Sequence, residues 1–395
     1  MNQAVIRICP ICKSQNIDTI KEIFLDLPKE YNLPQKYSIV CCNYCGFCYA
    51  NTSASLKEYE YYYENFNIYS MSPKDIMEYN SSCGRANFIL KNMMSKDCSI
   101  LDIGCGNGTL VRYLNKQNYK AIGMDPSERS VSLINSFYPQ KAIKGSIYDI
   151  PEDKYKNSYD VIFLFSMLEH LLLPYEAICN LKTNYLTKMG KIFIEIPDYE
   201  RININTTPLP NNFNQEHINY FSCQSLDNLM TSCGFNRIYN EKITYETNSI
   251  KEYGLFCGYE LCDQDIKYTA TIVKDANTLK SITEYLNNQS KVYMFKNLIL
   301  SKICEKREPV MVWGTGALAM DLLANTPLKD CNITAFIDNN TTKIGTTFGN
   351  SKVIGPNDIP QDNSDTIIIC SMLHSKNIIE QIKELGLSNS IIVLE

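Results

Sequence analysis

The side chains of this chain best suited to chemistry are two Cys-x2-Cys pairs and two Glu-His pairs. Cys9-Pro10-Ile11-Cys12 and Cys42-Asn43-Tyr44-Cys45 are separated by 29 residues. Two residues between thiolates let both sulfurs turn toward one ion, and Gly46 eases the tight turn after the second pair. Four thiolates favour tetrahedral zinc and leave no coordination position open, so the expected role is structural. Cys41 and Cys48 stand close enough to substitute for members of the second pair, which leaves the ligand set open at this stage. The chain has three histidines, and two of them, His170 and His217, directly follow Glu169 and Glu216. An imidazole titrates near neutrality and suits a general base, and an adjacent carboxylate can raise its basicity or share the proton. His374 lies far from either pair in the sequence and reads as surface or structural.

These groups need a frame. Ile100-Leu101-Asp102-Ile103-Gly104-Cys105-Gly106-Asn107-Gly108 reads as an apolar strand running into glycines at alternate positions, followed by a helical pattern from Thr109 to Gln117. Residues without a Cβ at a strand–helix turn let backbone pass close to a ligand. A second strand, Lys120 to Met124, ends in Asp125-Pro126-Ser127, with Asp125 lying 23 residues after Asp102. A carboxylate at that strand tip can accept from both hydroxyls of a ribose. Gly145 to Asp149 marks the end of a third strand, while Tyr159 to Phe165 and Gly190 to Pro197 read as a fourth and fifth. The fourth is apolar throughout, as a buried parallel strand should be. A dinucleotide fingerprint wants G-x-G-x-x-G, and Gly104-x-Gly106-x-Gly108 is spaced differently.

With those elements in order, residues of about 85–245 resemble the class I S-adenosylmethionine-dependent methyltransferases, whose first motif looks like Leu-Asp-Ile-Gly-Cys-Gly-x-Gly. The resemblance implies cofactor contacts at Asp102, Gly104, Cys105, Gly106, Asp125, Pro126, Ser146, Ile147 and Phe165. Glu216-His217-x-x-Tyr220-Phe221-Ser222, placed between an N-terminal four-cysteine module and a second α/β unit, further resembles the sugar C-methyltransferases, which act on nucleotide-linked keto-sugars. That likeness implies a base drawn from His217 and His170 and assisted by Glu216, and Tyr69 as the nearest match to the family's lid tyrosine. In such chemistry a base removes the proton alpha to a ketone and the enolate takes the methyl group. Two departures stand out. Asn214 occupies a position where the family has tyrosine, and no Gly-Gly-Ser segment lies between Ile243 and Cys262. Both bear on the acceptor and on whether carbon, oxygen or nitrogen is methylated.

The remaining chain fixes the wider plan. Tyr59, Tyr62, Tyr63 and Phe66 share one face at helical spacing, suited to docking on the main unit or to a lid over the cofactor. Residues Gln264 to Lys306 read as a helical connection, and Pro309 to Ala319 as a strand, a G-x-G-x-x-A turn and a helix. Ile333 to Asp338 gives a further strand ending in an acid. This second α/β unit is expected to bind the nucleotide half of a nucleotide-sugar, a nicotinamide cofactor, or nothing. The expected fold is α/β: a zinc-binding module (1–50), an aromatic helical lid or linker (51–84), a Rossmann-like methyltransferase domain (85–262), a helical linker (263–307) and a smaller Rossmann-like domain (308–395). The 395 residues allow such a multi-domain chain, and a net charge of −5 without a basic run disfavours nucleic acid or an anionic membrane surface as partner. Seventeen cysteines without an export pattern argue for reduced thiols and a cytoplasmic location. Three function classes are carried forward: methyl transfer to a small polar metabolite, hydride transfer by a nicotinamide-binding C-terminal unit, and a non-enzymatic scaffold.

Overall fold

The structure is a computed structural model that describes residues 6–66, 80–149, 152–247, 250–262, 271–371 and 374–394. In chain order the N-terminal part gives β1 (Ile17–Phe24), β2 (Lys36–Cys42), β3 (Cys48–Asn51) and α1 (Leu56–Asn65). The central part gives α2 (Ser81–Met93), β4 (Ser99–Ile103), α3 (Thr109–Lys116), β5 (Lys120–Asp125), α4 (Glu128–Phe137) and β6 (Ala142–Lys144). It continues with β7 (Tyr159–Phe165), α5 (Pro174–Asn180), β8 (Leu186–Pro197), α6 (Leu209–Asn212), β9 (Asn219–Tyr220), α7 (Cys223–Ser232), β10 (Phe235–Thr247) and β11 (Ile250–Leu261). The long helix α8 (Thr278–Lys306) leads to β12 (Pro309–Trp313), α9 (Ala317–Asn325), β13 (Asn332–Ile337), β14 (Thr347–Phe348), β15 (Ser351–Ile354), β16 (Thr366–Ile369), α10 (Ser375–Glu384) and β17 (Ile391–Val393).

Seven strands of the central part form one sheet in the order β10-β11-β8-β7-β4-β5-β6. Strands β8, β7, β4, β5 and β6 run parallel, and β11 is reversed against both β8 and β10. Parallel strands are covered on both faces, which is why Ile100, Leu101, Val161, Ile162, Phe163 and Leu164 are all fully buried. The strand order reverses between β4 and β7, so a crevice opens beyond their carboxyl ends, the place where α/β sheets take ligands.

The N-terminal sheet has the order β1-β2-β3-β9, antiparallel throughout. Its fourth strand is borrowed: β9 comes from the central part, directly after Glu216-His217. Side chains alternate across this sheet, so its two faces enter different cores. Ile39, Cys41 and Cys48 pack toward α8 and α9, whereas Val40, Cys42, Phe47 and Tyr49 pack toward the central sheet. The buried Arg7 fastens the join. Its guanidinium donates to the carbonyls of Ile218 (3.0 Å) and Leu172 (2.7 Å) and to Asn219 Oδ1 (2.8 Å).

The C-terminal strands form a six-stranded sheet ordered β14-β15-β13-β12-β16-β17, parallel except for the β14–β15 hairpin. Sequence boundaries differ from the folded ones in two places. The boundary at residue 84 falls inside α2, and the central part donates β9 to the N-terminal sheet. The expectation of reduced thiols is also corrected at one pair. Cys304, near the end of α8, is bonded to Cys331, because the loop before β13 brings their Cα atoms to 4.6 Å. Among the described residues no helix is long and apolar enough to cross a membrane.

Candidate active site

The turn between β4 and α3 is built from left-handed backbone at Gly104, Gly106 and Gly108 (φ 71°, 51° and 76°). A Cβ at Gly108 would stand 2.4 Å from Ile134 Cγ1 of α4. Gly108→Ala is therefore expected to destabilise the protein by about 1–3 kcal/mol through strain and steric conflict, read as a lowered urea midpoint without ligand. At Gly104 a Cβ would meet Met167 Cγ at 3.0 Å and intrude on the cavity both residues line. Asp125, at the tip of β5, fixes the loop. Its Oδ2 accepts from Gly106 N and its Oδ1 from Ser127 N, both at 2.9 Å. The Ser130 hydroxyl also bonds this carboxylate, so three protein donors hold it at the strand tip.

These residues line a cavity of about 150 Å³, open at its mouth, at the sheet's carboxyl edge. Gly104, Gly106, Asp125, Pro126, Ser146 and Ile147 form one wall. The aromatic face of α1 also lines it, through Tyr59, Tyr62, Tyr63 and Phe66. The helix starts on a capping box, in which Ser55 Oγ accepts from Glu58 N and Glu58 answers Ser55 N. Two tyrosines pin it to the segment before β9. Tyr59 donates to Gln215 O (3.1 Å), and Tyr62 donates to Glu216 Oε1 at 2.5 Å, a short charge-assisted contact.

His170 and Glu216 also line the cavity. His170 Nδ1 stands 3.1 Å from Glu216 O, and its ring packs edge-on against Tyr63 and His217, with centroids 6.0 and 5.0 Å away. Burial pushes His170 down to about 3, helped by the neighbouring His217, and burial alone brings His217 to about 4, so both rings are neutral at physiological pH. The buried Glu169 carboxyl rises to about 8, and burial raises Glu216 as well, against the opposing pull of the Tyr62 hydroxyl. Asn214 explains its own presence: its Oδ1 accepts from both Glu216 N and His217 N at 2.8 Å, turning the Glu-His pair into the site.

Several residues named from the sequence lie elsewhere. Asp102 is buried within the sheet, its carboxyl raised to about 8 by burial and by Asp125, and it does not line the cavity. Cys105 points its sulfur toward Gly123. Phe165 packs on Phe163 and Phe256 in the core behind, because alternation along β7 turns it from the cavity. His217 sits behind His170 rather than on the wall, with Nδ1 3.5 Å from Tyr199 Oη. Tyr69 lies outside the described residues. The sequence reading missed the pairing of Tyr62 with Glu216. Helical spacing put Tyr62 on the right face, but its partner 154 residues away had no local signal.

The cysteines converge as a separate cluster. One sulfur from each of Cys9, Cys12, Cys42 and Cys45 lies within 4.8 Å of the others, with Cys9–Cys45 at 3.6 Å and Cys12–Cys42 at 3.4 Å. Sulfurs arranged tetrahedrally at about 2.3 Å from an ion stand roughly 3.8 Å apart, so the set fits one ion. Cys41 and Cys48 are excluded by geometry: they pair across β2 and β3 on the opposite face and point toward Gly46 O.

Residues 72–240 match the family described as a methyltransferase domain, and residues 306–393 match one described as C2185-like, N-terminal. Together with the strand order and the glycine turn, the first match makes the central unit a methyltransferase domain of the S-adenosylmethionine-dependent class. The chain is 33% identical over 108 residues to the tRNA U34 carboxymethyltransferase of Cellvibrio japonicus, covering 25% of this chain and 33% of that protein. It is 26% identical over 107 residues to a ubiquinone biosynthesis O-methyltransferase of Rickettsia bellii, covering 25% of this chain and 43% of that protein. The matches thus span less than half the length of these two relatives. Among solved structures, the 1,6-didemethyltoxoflavin-N1-methyltransferase of Burkholderia thailandensis superposes with a TM-score of 0.38 at 14% identity, over 48% of this chain and 82% of that one.

Proposed function

We propose that this protein transfers a methyl group from S-adenosylmethionine to a small polar acceptor, and that the acceptor is a nucleotide-linked sugar methylated at carbon beside a ketone. One observation carries the reading: the glycine turn with Asp125 and the proton-handling pair Glu216 and His170 line the same cavity. When bound, the donor supplies an electrophilic methyl on a sulfonium and leaves as a neutral thioether. Gly104 and Gly106 offer bare backbone, and Asp125 offers a carboxylate for the ribose hydroxyls. A C–H beside a ketone needs a base, and Glu216 and His170, both on the wall, are the groups we assign to that role. The lone pair freed by that proton forms the new carbon–methyl bond. Cys9, Cys12, Cys42 and Cys45 would hold a structural zinc, since four thiolates close its coordination.

Acceptors methylated at oxygen or nitrogen use the same donor and the same base, and they remain alternative outcomes of an acceptor screen. In the C-terminal unit, Asp338 Oδ2 accepts from Thr315 N (3.2 Å) and Lys343 Nζ (3.4 Å) beside the turn after β12, and a nicotinamide cofactor there is a second outcome for ligand titration to decide. The reading is tested by isothermal titration with S-adenosylmethionine and S-adenosylhomocysteine. Saturable one-to-one binding is expected, and Asp125→Ala should weaken it by about 100-fold, the loss of two charge-assisted hydrogen bonds at roughly 1.5 kcal/mol each. No heat with either ligand would end the proposal.

A further inference from the structure

We infer that Glu169, His170 and His217 form a second metal site, which takes a divalent transition-metal ion at the edge of the acceptor cavity. One ligand atom from each residue lies within 4.8 Å of the other two, and Glu169 Oε1 stands 3.8 Å from His170 Nε2. The ring tautomers follow from the partners. Glu216 O is a carbonyl and can only accept, so His170 Nδ1 carries the hydrogen and Nε2 keeps its lone pair. Tyr199 spends its hydroxyl hydrogen on Asn212 O at 2.6 Å, so its oxygen accepts from His217 Nδ1, and Nε2 is again the free donor atom. A histidine whose second nitrogen is anchored on an oxygen acceptor, with its other lone pair turned inward, is the usual state of a metal ligand.

A second observation points the same way. Glu169 is 1% exposed, yet among the described residues its Oε2 has no hydrogen-bond partner. A buried carboxyl oxygen in that condition is unspent, and a cation between it and the two rings would take it as a ligand in place of the carboxyl proton. Two imidazoles and one carboxylate suit iron, manganese, cobalt, nickel or zinc rather than magnesium or calcium, which prefer oxygen alone. Three protein ligands leave positions for an oxygen of the acceptor. Its keto oxygen would then be polarised by the ion, as a Lewis acid, while Glu216 takes the proton. This role rests on the proposed methyl transfer, but binding of the ion does not.

Cobalt titration of the zinc-loaded full-length protein is the test, with metal content measured by mass spectrometry. The expected result is one further ion per chain whose visible spectrum lacks the thiolate charge-transfer band of a cysteine site. Glu169→Gln and His217→Asn should each abolish that ion, or weaken it by about 100-fold, while retaining the cysteine-bound one. Thermal melting and S-adenosylhomocysteine titration of the same samples report folding and donor binding separately. Wild type that binds the thioether yet takes up only the cysteine-bound ion overturns this inference alone. Wild type that takes up the second ion without binding the thioether keeps the site and overturns the proposed function. If both variants fail to fold, the wild-type stoichiometry and spectrum still decide.

Discussion

Exchanging Glu216 for glutamine should lower turnover by about 100-fold or more while donor affinity stays within about twofold, because general-base catalysis contributes roughly 10²–10⁴. Glutamine keeps the shape and the oxygen that accepts from Tyr62 at 2.5 Å, so α1 remains docked. What the amide loses is the ability to hold a proton. Burial raises the Glu216 carboxyl above its ordinary range, which makes the carboxylate a stronger base than an exposed one. The proposed donor cradle is built from other lining residues, Gly104, Gly106 and Asp125. Tyr62→Phe is the companion variant. It leaves Glu216 without its hydroxyl donor, so the carboxyl rises further and the pH at half-maximal rate moves up. The measurements are single-turnover rates across pH with the donor saturating, beside titration with S-adenosylhomocysteine. A Glu216→Gln enzyme with wild-type turnover would remove Glu216 from proton transfer.

The central sheet could be read from the sequence because its signals are local. An apolar run, alternate glycines and an acid at the next strand tip each sit within a few residues, and they correspond to β4, its turn and β5. The same holds for the two Cys-x2-Cys pairs, whose spacing is itself the ligand geometry. Other features were hidden because they depend on strand alternation or on distant partners. Excluding Cys41 and Cys48 from the cluster requires knowing that β2 and β3 are strands with opposite faces in different cores. Phe165 looked like a cavity residue since it ends β7, and only the phase of the pleat turns it inward. His217 and His170 appeared equivalent in sequence. The fold ranks them by sending the chain from His217 straight into β9, which places His217 behind and leaves His170 on the wall. Asn214, a departure from the family pattern, acquires a reason once its side chain is seen capping the two amides that follow.

The borrowed strand makes a second large effect predictable. Replacing Cys42 and Cys45 together by serine should release the proposed structural zinc and cost most of the folding free energy of the N-terminal sheet, since such sites contribute on the order of 10 kcal/mol. Damage confined to a peripheral ribbon would leave catalysis alone. Here it should not. β3 pairs with β9 through Cys48–Tyr220 and Tyr49–Asn219, and Arg7 clamps the carbonyls of Ile218, Leu171 and Leu172. Those contacts hold the segments that follow Glu216-His217 and Glu169-His170. Loosening the sheet therefore frees both Glu-His pairs, while Asp125 and the glycine turn remain anchored in the central sheet. The expected result is faster amide exchange across residues 17–51 and at Ile218 to Tyr220. Turnover should fall by about 100-fold or more, as expected when a general base is misplaced. Affinity for S-adenosylhomocysteine should stay within a few-fold. Loss of donor binding in step with turnover would mean that the cysteine module supports the whole domain rather than its acceptor side.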